Sequence, residues 1–294
     1  MSRAAPQPAY VLHHWAWSET SLILDLFTRD QGRIAAVAKG AKRPYSQQRS
    51  VLLPFQRISV TLGRPKAEPA GARAASADEG GDILTLRSAE FTGGAPMLPP
   101  QHLFAGFYLN ELLMKLLARQ DPHERLFDAY AEALAALAVA ESAGGEGGDQ
   151  AVLRAFELLL LQQTGVLPEL DRNTQTQEAL VPGRSYALQP QSGLVATAPG
   201  LAGLAATDCQ ALHAALQQRD APALRTACAA VLPALKSQLR EMLHYHLGSP
   251  QLRTRQAMRE LHRLLDAPIT VARPAATLAP KFASQLATPP GPAP

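Results

Sequence analysis

A chain of 294 residues and 31.4 kDa has room for one large domain or two modest ones. Hydrophobic residues at 47% against 18% charged mark a globular body, and a formal charge of +3 does not by itself point to nucleic acid. Two cysteines, Cys209 and Cys228, exclude a disulfide scaffold and a four-cysteine zinc site. With no apolar run of membrane-spanning length and no apolar signal-peptide core, a cytoplasmic location is expected.

Residues 9–91 carry the β signals. Tyr10 to His13, Ser21 to Phe27, Arg33 to Ala38, Phe55 to Leu62 and Ile83 to Leu86 are short β-rich runs. The turn Asp30-Gln-Gly32 makes 20–38 a hairpin. Five short strands in this length suit a small barrel. The stretch from Gly63 to Gly81 is rich in Gly, Ala, Pro and charge and is expected to be a mobile loop.

Helical periodicity begins at Gln101, with Leu103, Phe104, Phe107, Tyr108, Leu112, Leu116 and Leu117 at three- and four-residue steps. A second helix is expected over 123–140, broken by the glycine run 144–148. Asp149 is the expected N-cap of a third, ending near Gly165. Residues 166–206 are Pro- and Gly-rich, with a short hairpin around Tyr186 and Leu194. Helices follow over 208–218, 221–247 and 252–265. From Pro268 the chain is Pro- and Ala-rich and expected to be disordered.

The total charge conceals an asymmetry. Arg29, Arg33, Lys39, Lys42, Arg43, Arg49, Arg57, Arg64 and Lys66 fall in one segment whose only acid is Asp30, giving it a formal charge of +8. Basic side chains on a barrel rim would track a polyanionic backbone, so these nine are the candidate nucleic-acid contacts. The alternative is a solvated charge run. Tyr45 and Phe55 are candidates to stack on bases; Phe55 reads first as core. Arg255, Arg259 and Arg263, with Arg253 beside them, share a helix face near a C-terminus, which favours cations anyway; auxiliary DNA contact is the alternative.

No Walker A, G-x-S-x-G or H-E-x-x-H sequence is present, so an enzyme is not expected. His13 and His14 near Glu19 read as strand-end decoration, and His244 and His246 as polar surface. Asp25 is expected on the solvent face of its strand or bonded to a turn. Cys209 and Cys228 read as buried thiols; His213, four residues from Cys209, does not complete a metal site.

The run His13-His-Trp-Ala-Trp-Ser-Glu-Thr-Ser-Leu-Ile-Leu-Asp-Leu-Phe-Thr28, then Gly32-Arg33 and Ala38-Lys-Gly-Ala-Lys-Arg43, resembles the N-terminal signature of the bacterial RecO family of DNA repair proteins. Leu84 to Glu90, Tyr108-Leu-Asn-Glu-Leu-Leu113, Leu153-Arg-Ala-Phe-Glu-Leu158, Gly165, Pro168 and Tyr186 through Val195 follow in the family's order, over roughly residues 8–265. The resemblance implies an α+β architecture. An oligonucleotide-binding (OB) type five-stranded barrel (1–95) precedes a helical domain (96–267) with a loop and hairpin at 166–206; the tail is 268–294.

The resemblance also implies binding of single- and double-stranded DNA and annealing of complementary strands. It implies work with RecR, and in some lineages RecF, to load RecA onto DNA coated by single-stranded-DNA-binding protein (SSB). Many members hold zinc with two cysteine pairs. Here those positions fall near Asp171 and Thr174, and near Ala196 and Pro199, so no metal or other cofactor is expected and packing must hold the loop. By motif, Arg154 matches the arginine that meets the acidic, Phe-ended tail of SSB; pairing with Glu157 or Asp149 is its alternative. Two further readings stay open: a general single-strand or RNA-binding barrel, and an enzyme with a basic pocket for a phosphorylated substrate.

Overall fold

Period-two alternation along the first three strands organises two cores at once. Strands β1 (Gln7–Ala16), β2 (Leu22–Thr28), β3 (Gly32–Ala38), β4 (Arg57–Gly63) and β5 (Leu84–Phe91) close into a barrel in the order β1-β2-β3-β5-β4. Only β3 and β5 pair in parallel. Ala9, Val11, Leu24, Leu26, Ile34, Ala36, Ile58 and Val60 fill the interior. Their neighbours Tyr10, Leu12 and Phe27 point outward and belong to a second core shared with the helices. This is the OB-type barrel expected. The computed structural model describes residues 5–63, 83–93, 97–140, 148–198, 200–248 and 252–266. The expected loop beyond Gly63, most of the 144–148 glycine run, and the tail lie outside these.

The helical part comprises α2 (Leu103–Leu116), α3 (Glu124–Val139), α4 (Gly148–Gln163), α5 (Ala206–Gln218), α6 (Ala221–Ala230), α7 (Leu232–Leu247) and α8 (Arg253–Asp266). A short helix, α1 (Gln48–Val51), lies between β3 and β4. Between α4 and α5, β6 (Ser185–Gln189) pairs on one side with β7 (Gly193–Ala196) and on the other with β8 (Leu204–Ala205). The hairpin expected at Tyr186 and Leu194 is therefore part of a three-stranded sheet. The single helix expected over 221–247 is two. Pro233 lacks the N–H that would bond back across the junction, and the chain breaks at Val231. Asp149 sits in the first turn of α4 and accepts the N–H of Gln150 at 2.7 Å.

One outward face of the barrel is buried against the helices. Tyr10, Phe27, Phe127 and Tyr130 pack ring on ring, with Tyr10 and Tyr130 centroids 4.9 Å apart. Asn110 donates from Nδ2 to the Leu12 carbonyl at 3.0 Å and accepts from the Tyr130 hydroxyl at 2.6 Å. At Gly32 the backbone has φ +67°, and a Cβ would stand 1.8 Å from the Asp121 carbonyl oxygen. Only glycine allows that approach.

Asp25 lies on this covered face, which corrects the expectation of a solvent-facing or turn-bonded side chain. It is fully buried, and Arg33 grips it, with Nη2 2.8 Å from one carboxylate oxygen and Nε 3.1 Å from the other. Arg119 adds a second cation at 3.8 Å. Arg33 also donates to the Leu117 carbonyl and accepts at its own carbonyl from Gln120. Alternation was read rightly, but the outward face of β2 meets α-helical packing rather than water. Asp25→Ala leaves the Arg33 charge without its partner at a half-closed interface, so unfolding free energy should fall by about 3 kcal/mol. A chemical denaturation curve within 1 kcal/mol of the parent contradicts this.

Candidate nucleic-acid interface

The nine basic candidates divide by what they touch. Arg33 is committed to Asp25. Arg29 pairs with Glu124 at 2.9 Å and Asp128 at 3.0 Å on α3. Arg57 lies 5.9 Å above the Phe127 ring. These three side chains meet carboxylates or a ring where the barrel joins the helices. Their charges looked like surface because strand pattern alone does not say which outward face gets covered. Arg64 and Lys66 lie outside the described residues. Lys39, Lys42, Arg43 and Arg49 remain exposed.

Lys39, Lys42 and Arg43 gather at the open edge, and Arg49 follows on α1. One cross-strand row runs Trp15–Ile23–Val37–Thr85–Gly63 across four pairings of the barrel. The β1–β2 hairpin projects beyond it, and the β3–α1 segment folds against its tip. Lys42 donates its backbone N–H to the Thr20 carbonyl at 2.9 Å and its Nζ to the Ser18 carbonyl at 3.0 Å. Gly40, at φ +76°, lets Arg43 lie back over the turn and donate its N–H to the Gly40 carbonyl. Ala41 anchors the turn in the barrel core.

Aromatic rings are interleaved with these cations. Tyr45 is fully exposed at φ +66°. Phe55, by contrast, is core, packed edge-on against Phe107 at 4.9 Å. Trp15 and Trp17, both exposed on the hairpin, were missed as site residues. The available signal was their rarity: the chain has two tryptophans, both on this hairpin. Arg87, exposed on β5 beside Gly63, was also passed over. His13 stacks on His14 and meets Trp15 edge-on at 4.6 Å; burial, then the charge of His14, holds the His13 imidazole below its ordinary pKa.

A cavity of about 400 Å³ lies in the helical part. Arg154, Lys236, Arg240, Arg255 and Arg259 line it, with Phe104, Leu153, Leu252 and Met258 supplying apolar walls. Arg154 is buried and pairs with Glu157 at 2.7 Å. Its Nε and Nη1 have no hydrogen-bond acceptor among the described residues. Glu157 also accepts from the Tyr108 hydroxyl, and burial pushes its carboxyl above the ordinary value despite Arg154. Arg255 stacks 5.0 Å over Tyr108 and donates to its hydroxyl, so it is not on the exposed face expected of it. Arg253 and Arg263 are exposed, as is Arg259 at the cavity mouth. His244 also lines the cavity; burial, then Arg255 and Arg240, hold its imidazole low.

Glu111 fixes the helix that closes this cavity. Its carboxylate accepts the N–H groups of Arg253 and Thr254 at 2.8 and 2.9 Å, capping α8 from α2. Burial raises its pKa, but the hydroxyl and N–H of Thr254, the Arg253 N–H and Lys115 outweigh that and hold it below the ordinary value. The run Tyr108-Leu-Asn-Glu111 is therefore structural: each polar member ties two parts of the molecule together.

The positions aligned with zinc ligands do not fit a metal. The Asp171 carboxylate is bonded to Arg172, and the Thr174 hydroxyl accepts the Leu194 N–H at 2.8 Å. Ala196 offers no donor atom, and Pro199 lies outside the described residues. The loop is held instead by hydrogen bonds and by buried Leu170, Leu180, Leu188 and Leu194. Tyr186 accepts the Val181 N–H, and Gln238 the Leu188 N–H. Cys209 and Cys228 are buried, and burial pushes both thiols up to about 12. His213 is half-buried, and no group of three or more potential metal ligands forms among the described residues. No described helix is long and apolar enough to cross a membrane.

An OB-type barrel with cations and exposed rings on one edge, joined to a helical body, defines a nucleic-acid-binding class of protein. The chain matches the family described as Recombination protein O N terminal over residues 1–68 and Recombination protein O C terminal over 100–256. It is 47% identical over 269 residues to the DNA repair protein RecO of Variovorax paradoxus (strain S110), covering 89% of this chain and 98% of that one. It is 46% identical over 273 residues to the DNA repair protein RecO of Acidovorax ebreus (strain TPSY), with the same coverage. The chain belongs to the RecO family and has a role in DNA repair and recombination.

Proposed function

We propose that the protein is a non-enzymatic recombination mediator. It binds single- and double-stranded DNA along the open barrel edge and anneals complementary strands. With RecR, and RecF where present, it helps load RecA onto SSB-coated DNA at the cytoplasmic nucleoid. The observation that supports this most is the gathering of Lys39, Lys42 and Arg43 around an exposed hairpin carrying Trp15 and Trp17. Annealing requires no covalent chemistry. Two strands repel through their phosphates; a cationic edge lowers that repulsion and raises their local concentration, and base pairing drives the rest.

The helical cavity suits the other half of this task. A peptide ending in Phe and a carboxylate, preceded by acidic residues, matches its apolar walls and ring of cations. Arg154, with two nitrogens lacking an acceptor, sits at the floor; Lys236 and Arg240 stand exposed at the rim. The sequence reading offered Arg154 either as a carboxylate contact or as a partner of Glu157. The ion pair uses Nη2 and leaves Nε and Nη1 without an acceptor among the described residues.

Complementary oligonucleotides coated with SSB test the first part. Replacing Lys39, Lys42 and Arg43 together by Ala should slow annealing at least about tenfold and reduce the salt slope of single-strand binding by about two to three. Unchanged annealing contradicts the assignment of this edge. For the cavity, Lys236→Ala with Arg240→Ala should weaken an acidic, Phe-ended peptide about tenfold or more, with bare-DNA affinity within twofold of the parent. These two are preferred to Arg154→Ala, which strands the buried Glu157 carboxylate. Equal peptide affinity in variant and parent sinks the docking claim.

A further inference from the structure

At the tip of the β1–β2 hairpin, Trp17, Ser18, Thr20, Val37, Lys39 and Arg43 surround a cavity of about 340 Å³. Its size is at the low end of small-ligand sites, on the scale of one nucleotide unit. The Trp17 ring is 57% exposed, although its backbone is pinned. Its N–H donates to the Ser21 carbonyl at 3.1 Å, and the Ser18 hydroxyl accepts the Ser21 N–H at 3.1 Å. Lys42 ties this turn to the segment that carries Lys39 and Arg43. A large apolar ring is thus held out in water on a pinned backbone, beside two cations and a rim of hydroxyls. Folding gains nothing from exposing it.

We infer that this cavity is a stacking site for one unpaired base, with Trp17 against the base face and Lys39 and Arg43 at the flanking phosphates. The inference rests on the DNA-binding reading above and narrows it to the single-stranded form at this point. In a duplex both faces of each base are already covered by neighbours, so Trp17 finds no partner there. A base stacked on Trp17 keeps its Watson–Crick edge free. The site therefore holds a strand while leaving it able to pair, which is what an annealing surface requires. Trp15, on the row behind, lies two residues along the same hairpin; its ring is partly occupied by His13 and does not line this cavity.

The two tryptophans of the full chain provide the readout, because both lie on this hairpin. Trp15→Phe leaves Trp17 as the only fluorophore. Titration of that variant with a thymidine 30-mer should quench its emission, whereas a 30-base-pair duplex, bound as judged by anisotropy of a label on the DNA, should not. Trp17→Ala should weaken thymidine 30-mer binding about tenfold and leave duplex binding within twofold. A 30-mer of abasic units, carrying the same phosphates, should bind the parent about as weakly as thymidine 30-mer binds Trp17→Ala. Equal loss for single strand and duplex, equal parental affinity for abasic and thymidine strands, or quenching by duplex as strong as by single strand each overturns the stacking site while leaving DNA binding in place. If the parent binds neither DNA form at low salt, the broader reading falls with it.

Discussion

The buried ion pair between Asp25 and Arg33 determines how the two parts of the molecule meet. A carboxylate with no exposure to water is tolerable only with its charge compensated and its lone pairs bonded, and Arg33 does both while also bonding the Leu117 carbonyl. One outward face of β1–β3 is thereby committed to helical packing. Arg29 on Glu124 and Asp128, the Tyr10–Phe27–Phe127–Tyr130 cluster, and Asn110 between Leu12 and Tyr130 extend the same joint. Because that face is closed, the hairpin tip and the β3–α1 segment are left projecting on an open edge.

This division of labour sorts a single run of positive charge into two purposes. Arg29, Arg33 and Arg57 meet carboxylates or a ring at the joint. Lys39, Lys42, Arg43 and Arg49 face water. In the helical body, Glu111 caps α8 from α2 and swings its arginines toward the cavity floored by Arg154. The two charged regions therefore differ in shape. The barrel edge is extended and bears rings; the helical cavity is concave and has apolar walls. The first suits a polymer of phosphates, the second a short anionic terminus.

Much of this was legible from residue pattern. Short alternating runs gave five barrel strands, and three- and four-residue steps gave α2 and α4 nearly to the residue. The limits have physical causes. Alternation marks Asp25 as facing away from the barrel interior but does not reveal whether water or a helix covers that face. Periodicity spans Pro233 smoothly, although the missing N–H divides α6 from α7. Trp15 and Trp17 carry no periodic signal, since neither contributes to a core. Tyr108, Asn110 and Glu111 form a motif whose purpose emerges only when residues far along the chain, Glu157, Tyr130 and Thr254, arrive beside them.

Amide hydrogen exchange on the full chain, with and without a saturating single-stranded oligonucleotide, tests the central claim that the open edge carries DNA while the joint does not. Residues 13–21 and 37–49 should gain protection, and the segments around Asp25–Arg33 and Glu124–Asp128 should be unchanged. Protection confined to the joint segments, with the hairpin and the β3–α1 segment unaffected, would contradict the account.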